Sequence, residues 1–328
     1  MNIPKTIFII PYRDRQEQKV RFEKTMRDYL DELNKEEDTN IGPYLFVYAH
    51  QADTRPFNRG AMKNIGFLTM KKMFMNNYKD ITFVFHDVDT FPGKIGIIPY
   101  KTQPGIVSHY YGFKFALGGI FAIKGGDFEK SEGFPNFWGW GLEDNAIYNR
   151  CLEVGLNVDR SIFYDISDST IERPFDGNTR LVSKRDVVVY KHETPDCFKD
   201  ITNLDYDLVE DRFNENKTKT QTIFMANIKG FDCVMDPDEQ DYYEYDVILN
   251  KGKMRVPSGY SRRSWSLNNL FMSKNTKMKS PTPSPIPIPI PTVIINNSNY
   301  TNNKTHHNSS KIMGMENIMR ISNPRRMF

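Results

Sequence analysis

The chain has 328 residues, of which 39% are hydrophobic and 26% are charged, and it contains three cysteines. This length and hydrophobic content suffice for one large α/β domain with an appendage, and the sequence has no apolar run of the roughly 18 residues that a membrane-spanning helix needs. Three scattered cysteines are too few for a disulfide framework or a zinc site, which is typical of proteins from reducing compartments.

The charge is distributed unevenly along the chain. The formal net charge is +3, but residues 273–328 carry eight Lys or Arg and one acidic residue, so residues 1–272 have a net charge of −4. A mildly acidic body offers no cationic surface for following a phosphate backbone, and we therefore expect no nucleic-acid partner.

The first third of the chain predicts alternating strands and helices. Apolar runs of strand length lie at 6–10, 44–48 and 81–85. Between them, helical patterns cover 15–34, where Val20, Met26, Leu30 and Leu33 are expected to share one face, and 59–75. Strands buried on both faces and joined by helices indicate a parallel sheet of the α/β class. Ligands of such sheets bind at the carboxyl ends of the strands.

Two carboxylates follow the third predicted strand, in the stretch His86-Asp87-Val88-Asp89. Carboxylate oxygens at a sheet edge are ligands suited to Mg²⁺ or Mn²⁺, with water and diphosphate oxygens in the remaining positions. Asp-x-Asp also occurs in solvated turns, where the carboxylates accept hydrogen bonds from backbone N–H groups. Taken alone, the triplet leaves both interpretations open.

A second motif lies at 134–145 and reads FPNFWGWGLEDN. Its acidic pair, Glu143 and Asp144, opens a predicted helix that ends at Gly155 and has Ile147, Cys151 and Val154 on one side. Carboxylates in the first helical turn are stabilised by the helix dipole, so the pair could serve the helix alone. The tryptophans could be core residues, or their flat rings could pack against sugar C–H groups. Further along, the apolar run at 187–190 predicts a strand that precedes His192.

The order of its motifs along the chain makes the sequence resemble the β-1,4-galactosyltransferases. These are inverting, metal-dependent sugar-nucleotide transferases with a glycosyltransferase A-type fold. The matching motifs are PYRDR at 11–15, FNRGA at 57–61, FHDVD at 85–89, Gly118-Gly119, WGWGLED at 138–144 and His192. They cover 7–192, whereas 193–272 match poorly. The histidine before the Asp-Val-Asp and the FWGWG string resemble the branch that adds galactose to xylose on proteoglycan linkers. The resemblance implies one nucleotide-diphospho-sugar transferase domain with a mixed central sheet over 1–272.

The resemblance also implies a role for each matched residue. Asp144 would be the general base and Glu143 its neighbour. Asp89 and His192 would bind Mn²⁺, or Mg²⁺ in its place, with His86 and Asp87 as second choices. The donor would be a UDP-sugar and the acceptor a glycan or glycoconjugate. The residues implied to contact the nucleotide sugar are Pro11, Arg13, Arg15, Phe57, Asn58, Arg59, Asp87, Gly118, Gly119 and Trp140.

The chain departs from the family pattern at three positions. Val189 stands where the usual branch has a Met three residues before the metal-binding His, and Thr194 stands where the xylose branch has a second His. These departures predict a weakened metal site. Ala116 stands where galactose-specific members carry a Tyr near the sugar 2-position, which predicts use of UDP-GalNAc or UDP-GlcNAc as well as UDP-Gal. The alternative is that Phe115 or Leu117 fills the gap.

Beyond residue 272 the composition changes. Alternating prolines at 280–291 favour an extended polyproline II spacer, and the Asn-rich stretch at 296–310 buries too little apolar surface to fold, so 273–328 is predicted to be a tail. Family members usually have an amino-terminal membrane anchor and stem, which this sequence does not show. We therefore expect a cytoplasmic protein, in the host cytoplasm if the source is viral. A competing hypothesis is a catalytically inactive glycan-binding or particle-associated protein that retains the fold.

Overall fold

The structure of the protein is a computed structural model that describes residues 2–174, 177, 179–191, 196–211, 222–246 and 251–254. His192, Thr194 and the predicted tail at 273–328 lie outside the described residues. Among the described residues, no helix combines the length and the apolar character needed to cross a membrane.

The strands are β1 (Thr6–Tyr12), β2 (Tyr44–Gln51), β3 (Thr82–His86), β4 (Phe91–Pro92), β5 (Ile106–Gly112), β6 (Ile120–Lys124), β7 (Asn157–Asp159), β8 (Tyr164–Asp165), β9 (Ile171–Glu172), β10 (Thr179–Ser183), β11 (Thr202–Asp211), β12 (Ile223–Asp232), β13 (Tyr242–Asp246) and β14 (Lys251–Met254). The α-helices are α1 (Gln16–Leu33), α2 (Arg59–Met73), α3 (Gly125–Lys130), α4 (Glu143–Glu153) and α5 (Lys184–Lys191).

The predicted alternation of strands and helices at the start of the chain is confirmed as β1, α1, β2, α2 and β3. Helix α1 buries Met26, Leu30 and Leu33 as predicted, but the prediction for Val20 is wrong, since 50% of this side chain is exposed. At 100° per residue Val20 lies about 240° around the helix from Met26, which turns it away from the core.

The main sheet is mixed, as predicted, and has nine strands in the order β11, β12, β2, β1, β3, β6, β5 and β7, with β8 beside β5. Strands β12, β2, β1 and β3 form a parallel centre. Strand β6 runs antiparallel to β3. The carboxyl ends of the four central strands and the start of β6 therefore meet at one edge, which we call the carboxyl edge.

Hydrophobic side chains cover both faces of this sheet. Along β1, Ile7 and Ile9 pack on one face with Phe67 of α2. Phe8 and Ile10 pack on the other face with aromatic residues that include Phe22 of α1. All of these side chains are fully buried. Because the pleat turns successive side chains to opposite faces, one continuous apolar strand joins two cores.

The strand predicted at 187–190 is wrong, because these residues belong to helix α5. The hydroxyl of Ser183 accepts a hydrogen bond from the N–H of Asp186 at 3.2 Å, which satisfies an otherwise unpaired donor in the first turn. A short apolar run does not distinguish a buried strand from a helix by periodicity. The preceding Ser-x-x-Asp spacing was the signal that indicates a helix start.

Candidate active site

The carboxyl edge collects several of the predicted site residues. Asp87 follows β3, and Gly118 and Gly119 precede β6. Because β6 is antiparallel to β3, with His86 opposite Ile120, the N–H of Asp87 reaches the carbonyl of Gly119 at 3.3 Å. Helix α2 begins at Arg59, after the carboxyl end of β2, so its first turn lies at the same edge. Motifs separated by tens of residues thus become neighbours.

Arg59 lies at the centre of this group. Its Nη2 donates to Asp87 Oδ1 at 2.6 Å, and its Nη1 donates to Glu143 Oε1 at 2.8 Å. The same Nη1 also contacts the two carboxylate oxygens of Asp144 at 2.9 and 2.8 Å. One guanidinium therefore joins three carboxylates that come from the end of β3 and the start of α4.

Asp144 is held against the backbone of the Gly118-Gly119 turn. Its carbonyl accepts a hydrogen bond from the N–H of Leu117 at 2.8 Å. A Cβ added to Gly118 would lie 2.6 Å from Asp144 Oδ2, so only glycine permits this approach. The Asp144 side chain is 21% exposed, compared with 7% for Glu143. Of the two neighbouring carboxylates, Asp144 is thus the one more accessible to a ligand.

Lys63 also belongs to this group, although it was not predicted from the sequence. Its Nζ lies 3.0 Å from Asp144 Oδ1, and its side chain is only 2% exposed. Burial lowers the pKa of the Lys63 ammonium, and the charge of Arg59 lowers it further. A signal was present, because Lys63 lies four residues after Arg59 and helical residues at this spacing share a face.

Burial also affects the acidic residues of the group. It raises the pKa of Glu143, and the charge of Asp144 raises it further. For Asp87 burial acts in the same direction, but the charges of Arg59 and Lys63 outweigh it and hold the pKa below its ordinary value. The carboxylates of this edge thus have different tendencies to ionise, which is typical of sites that transfer protons.

The Asp-Val-Asp motif follows β3, with Asp87 bound to Arg59 and Asp89 half-buried. His86 is fully buried, with Nδ1 2.9 Å from the Asp87 carbonyl and Nε2 3.2 Å from the Tyr100 hydroxyl. Burial lowers the pKa of His86 to about 4, so its ring is neutral near pH 7. With both ring nitrogens engaged, His86 supports the motif from inside the protein.

Two residues predicted to contact the nucleotide also have internal partners. Asn58 is fully buried, and its Oδ1 accepts from the N–H of Ala61 at 2.9 Å as the N-cap of α2. The Arg13 guanidinium donates to three backbone carbonyls at and after the end of β2, those of Gln51, Asp53 and Arg55, at 3.2, 2.7 and 2.5 Å. Phe57 lies beside it, with its ring centroid 5.7 Å from the Arg13 guanidinium carbon.

The remaining predicted nucleotide contacts lie at the starts of α1 and α2 and in β1. Pro11 is buried within β1. Arg15 is half-buried at the N-cap position of α1. Phe57 and Asn58 belong to the connection between β2 and α2, and Arg13, which follows β1, donates hydrogen bonds to the backbone of that connection, so the three residues brace the carboxyl edge. Their contact with a nucleotide stays a prediction.

The two tryptophans have different environments. Trp138 is 1% exposed, donates from Nε1 to the Met235 carbonyl at 2.7 Å and stacks on Phe231, so it is a core residue. Trp140 is partly buried, and its backbone N–H donates to the Leu181 carbonyl at 2.6 Å. The Arg180 guanidinium carbon lies 5.9 Å from the centroid of the Trp140 ring. Trp138 is therefore a core residue, whereas contact of the partly exposed Trp140 with a sugar stays a prediction.

Comparison with known proteins matches two family models to this chain. One, described as the N-terminal region of glycosyl transferase group 7, matches residues 2–95. The other, described as the N-terminal domain of galactosyltransferase, matches residues 104–171. The xylosylprotein 4-beta-galactosyltransferase of Caenorhabditis elegans is 33% identical over 196 residues, which are 58% of this chain and 63% of that protein.

The chain is similar to the β-1,4-galactosyltransferases. Bovine beta-1,4-galactosyltransferase 1 is 34% identical over 165 residues, which are 48% of this chain and 38% of that protein. The chain thus spans less than two thirds of these curated relatives. The catalytic domain of Drosophila beta1,4-galactosyltransferase 7, solved with xylobiose, has a TM-score of 0.53 and 22% identity and covers 70% of this chain and 95% of its own. This likeness confirms the predicted glycosyltransferase A-type fold.

The segments matched by the two family models contain most of the predicted site. Residues 2–95 include Arg59, Asp87 and Asp89, and residues 104–171 include Gly118 and Asp144. Both segments end before His192. Among the described residues, no group of three or more histidine, cysteine, aspartate or glutamate side chains is arranged to hold a metal ion. Binding of a metal by Asp89 and His192 therefore stays a prediction.

Proposed function

We propose that this chain transfers a hexose from a UDP-sugar to a carbohydrate hydroxyl, with inversion at the anomeric carbon. The observation that carries the proposal is the grouping of Asp144, Glu143, Arg59 and Asp87 at the carboxyl edge of a galactosyltransferase-family fold. A second Drosophila structure of this family, a mutant with a TM-score of 0.52 and 20% identity, contains manganese, UDP-Gal and xylobiose. Donor and acceptor of these chemical classes are therefore our proposal for this chain.

Asp144 is the proposed general base. In an inverting transfer the acceptor oxygen bonds to the anomeric carbon while the bond from that carbon to the UDP oxygen breaks. The hydroxyl proton passes to Asp144, and the products are the inverted glycoside, UDP and protonated Asp144. The accessibility of Asp144, its position in the first turn of α4 and its firm contact with Gly118 all suit this role.

Mn²⁺ is the proposed cofactor, with Mg²⁺ as a substitute. When bound, a divalent cation supplies Lewis-acid neutralisation of the leaving diphosphate. Asp89, a half-buried carboxylate directly after β3, offers the hard oxygen that these ions prefer. His192 is the proposed second ligand. On the protein side, Arg59 and Arg15 supply positive charge that can bind the diphosphate, because planar guanidinium groups suit phosphate oxygens.

The donor sugar is proposed to include N-acetylated hexoses. Ala116 is 2% exposed, and its methyl group stands where galactose-specific members carry a Tyr ring. Both residues that could fill the gap have other partners. Leu117 is fully buried in the core beneath the sheet, and the Phe115 ring stacks on Phe113 with centroids 5.3 Å apart. Because a methyl group is smaller than a Tyr ring, the donor pocket would have room for a 2-acetamido group, whereas galactose would leave that room unfilled and lose contacts.

The proposed function is tested by incubating the purified chain with Mn²⁺, single UDP-hexoses and a panel of glycans that includes xylosides. UDP release should depend on both the acceptor and the metal, and mass spectrometry should detect a product one hexose larger. Replacement of Asp144 by Asn should lower turnover about 10²- to 10⁴-fold with UDP binding little changed. Normal turnover in excess chelator would contradict the metal assignment. Normal turnover of Asp144→Asn would show that another residue is the general base.

A further inference from the structure

Arg59 contacts the carboxylates of Glu143 and Asp144 at nearly the same distance. Its Nη1 lies 2.8 Å from Glu143 Oε1 and 2.8 Å from the nearer oxygen of Asp144. The two residues occupy the same first turn of α4. Neither the guanidinium nor the helix start therefore explains why one carboxylate rather than the other would receive a proton from the acceptor.

Lys63 is the group that distinguishes them. Its Nζ forms an ion pair with Asp144 Oδ1 at 3.0 Å. By contrast, Glu143 Oε2 is buried without a hydrogen-bond partner among the described residues. The second cation of the cluster is thus directed at Asp144.

We infer that Lys63 is a positioning residue that makes Asp144, rather than Glu143, the carboxylate that accepts the acceptor proton. This inference rests on the proposed transferase function and adds to it a residue that no matched motif assigns.

The first reason is electrostatic. Two cations of α2, Arg59 and Lys63, face the carboxylates of Glu143 and Asp144 from α4 and of Asp87 after β3. The charge of Arg173 also acts on Asp87, and the charge of Glu143 acts on the buried Asp186. Burial raises the pKa of Glu143, and the charge of Asp144 raises it further, so a proton is retained more readily on Glu143 than in water. The Lys63 ammonium forms its ion pair with the other carboxylate, that of Asp144.

The second reason is orientation. Lys63 binds Oδ1, and the other oxygen, Oδ2, lies against Gly118. A base that is itself held by a third group keeps the geometry that proton transfer requires. The Lys63 ammonium is well placed for this, since it lies 4.5 Å from the Phe134 ring centroid and its side chain is 2% exposed. Water therefore competes little for its hydrogen bonds.

The test compares Lys63→Met, which keeps the length of the side chain and removes the charge, with the control Lys19→Met. Lys19 is also buried, pairs with Glu23 at 2.7 Å and lies 4.9 Å from the Tyr48 ring centroid, but it belongs to α1 on the opposite face of the sheet. Turnover of Lys63→Met should fall about 10- to 100-fold, with the KM for UDP-sugar within about twofold. The acidic limb of its pH–turnover profile should move to higher pH, whereas that of Lys19→Met should match the parent.

Companion variants separate the charge from the packing. Lys63→Arg retains the charge and should keep the acidic limb near that of the parent, whereas Lys63→Gln should shift it as Lys63→Met does. If Lys63→Met fails to fold, the comparison of Lys63→Arg with Lys63→Gln tests the inference in its place. Adding Glu143→Gln to Lys63→Met removes the competing carboxyl group and should return the limb toward lower pH.

Identical pH–turnover profiles for Lys63→Met, Lys63→Gln and the Lys19→Met control would overturn the inference while leaving the proposed function intact. Absence of transfer by the parent protein with every donor and acceptor would instead overturn the proposed function, and the inference with it.

Discussion

Gly118 lies so close to the Asp144 carboxylate that one added methyl group would displace the proposed base. A Cβ at position 118 would be 2.6 Å from Asp144 Oδ2 and 3.2 Å from its Cγ. The Gly118 backbone is not in the left-handed region, so alanine is acceptable there apart from this contact. The end of a side chain moves more readily than backbone, and we expect Gly118→Ala to fold.

The size of the displacement follows from the contact. Cβ atoms rarely approach other atoms within about 3.4 Å, so the carboxylate has to move by about 0.8 Å. A misplacement of about 1 Å in a catalytic group costs on the order of 10²-fold in rate. Gly118→Ala should therefore lower turnover about 100-fold, and binding of UDP should change little.

The assay is steady-state UDP release at saturating donor and acceptor, with UDP affinity measured separately by calorimetry. Gly230→Ala is the matched control, because a Cβ there meets no atom within 4 Å. The control should retain the turnover of the parent. Parent-like turnover of Gly118→Ala, with a normal thermal unfolding transition, would refute the argument that Gly118 sets the position of Asp144.

Three further predictions concern the metal, the donor and the pH dependence of stability. Asp89→Asn should abolish Mn²⁺-dependent UDP release while leaving circular dichroism unchanged, and His192→Ala should weaken the metal dependence less completely; full activity of Asp89→Asn would exclude it as the ligand. The parent should use UDP-GalNAc or UDP-GlcNAc at least as well as UDP-Gal, and Ala116→Tyr should lose the N-acetylated donors. Strict use of UDP-Gal by the parent, with no such loss in the variant, would contradict this. Asp186 is buried and accepts a hydrogen bond from the N–H of Gly139 at 2.5 Å, and burial raises its pKa well above 3.8. Since the folded state then binds this proton more tightly than the unfolded state, stability falls as pH rises above about 4. Asp186→Asn should lose that dependence, and parallel Tm curves for variant and parent between pH 4 and 8 would show that Asp186 does not titrate as argued.

The local pattern of the chain was enough to predict the opening strands and helices. Apolar runs of five residues predicted β1, β2 and β3, and the spacing of Met26, Leu30 and Leu33 predicted the buried face of α1. Strands of this kind bury both faces, so the parallel arrangement followed. The run at 187–190 was mispredicted, because four apolar residues in a row have no period that separates strand from helix.

The similarity to the β-1,4-galactosyltransferases was also evident in the sequence, because the order of the motifs from Pro11 to Asp144 is specific even where each motif is weak alone. The contacts between side chains, by contrast, became known only from the fold. In the sequence Lys63 is an ordinary helical lysine. In the fold the start of α2 lies against the start of α4, and the Lys63 ammonium contacts Asp144. Likewise, Trp138 and Trp140 are equivalent in sequence but lie in the core and at its margin. Local periodicity specifies the face of an element, whereas contacts between elements distant in sequence depend on how the sheet and helices pack together.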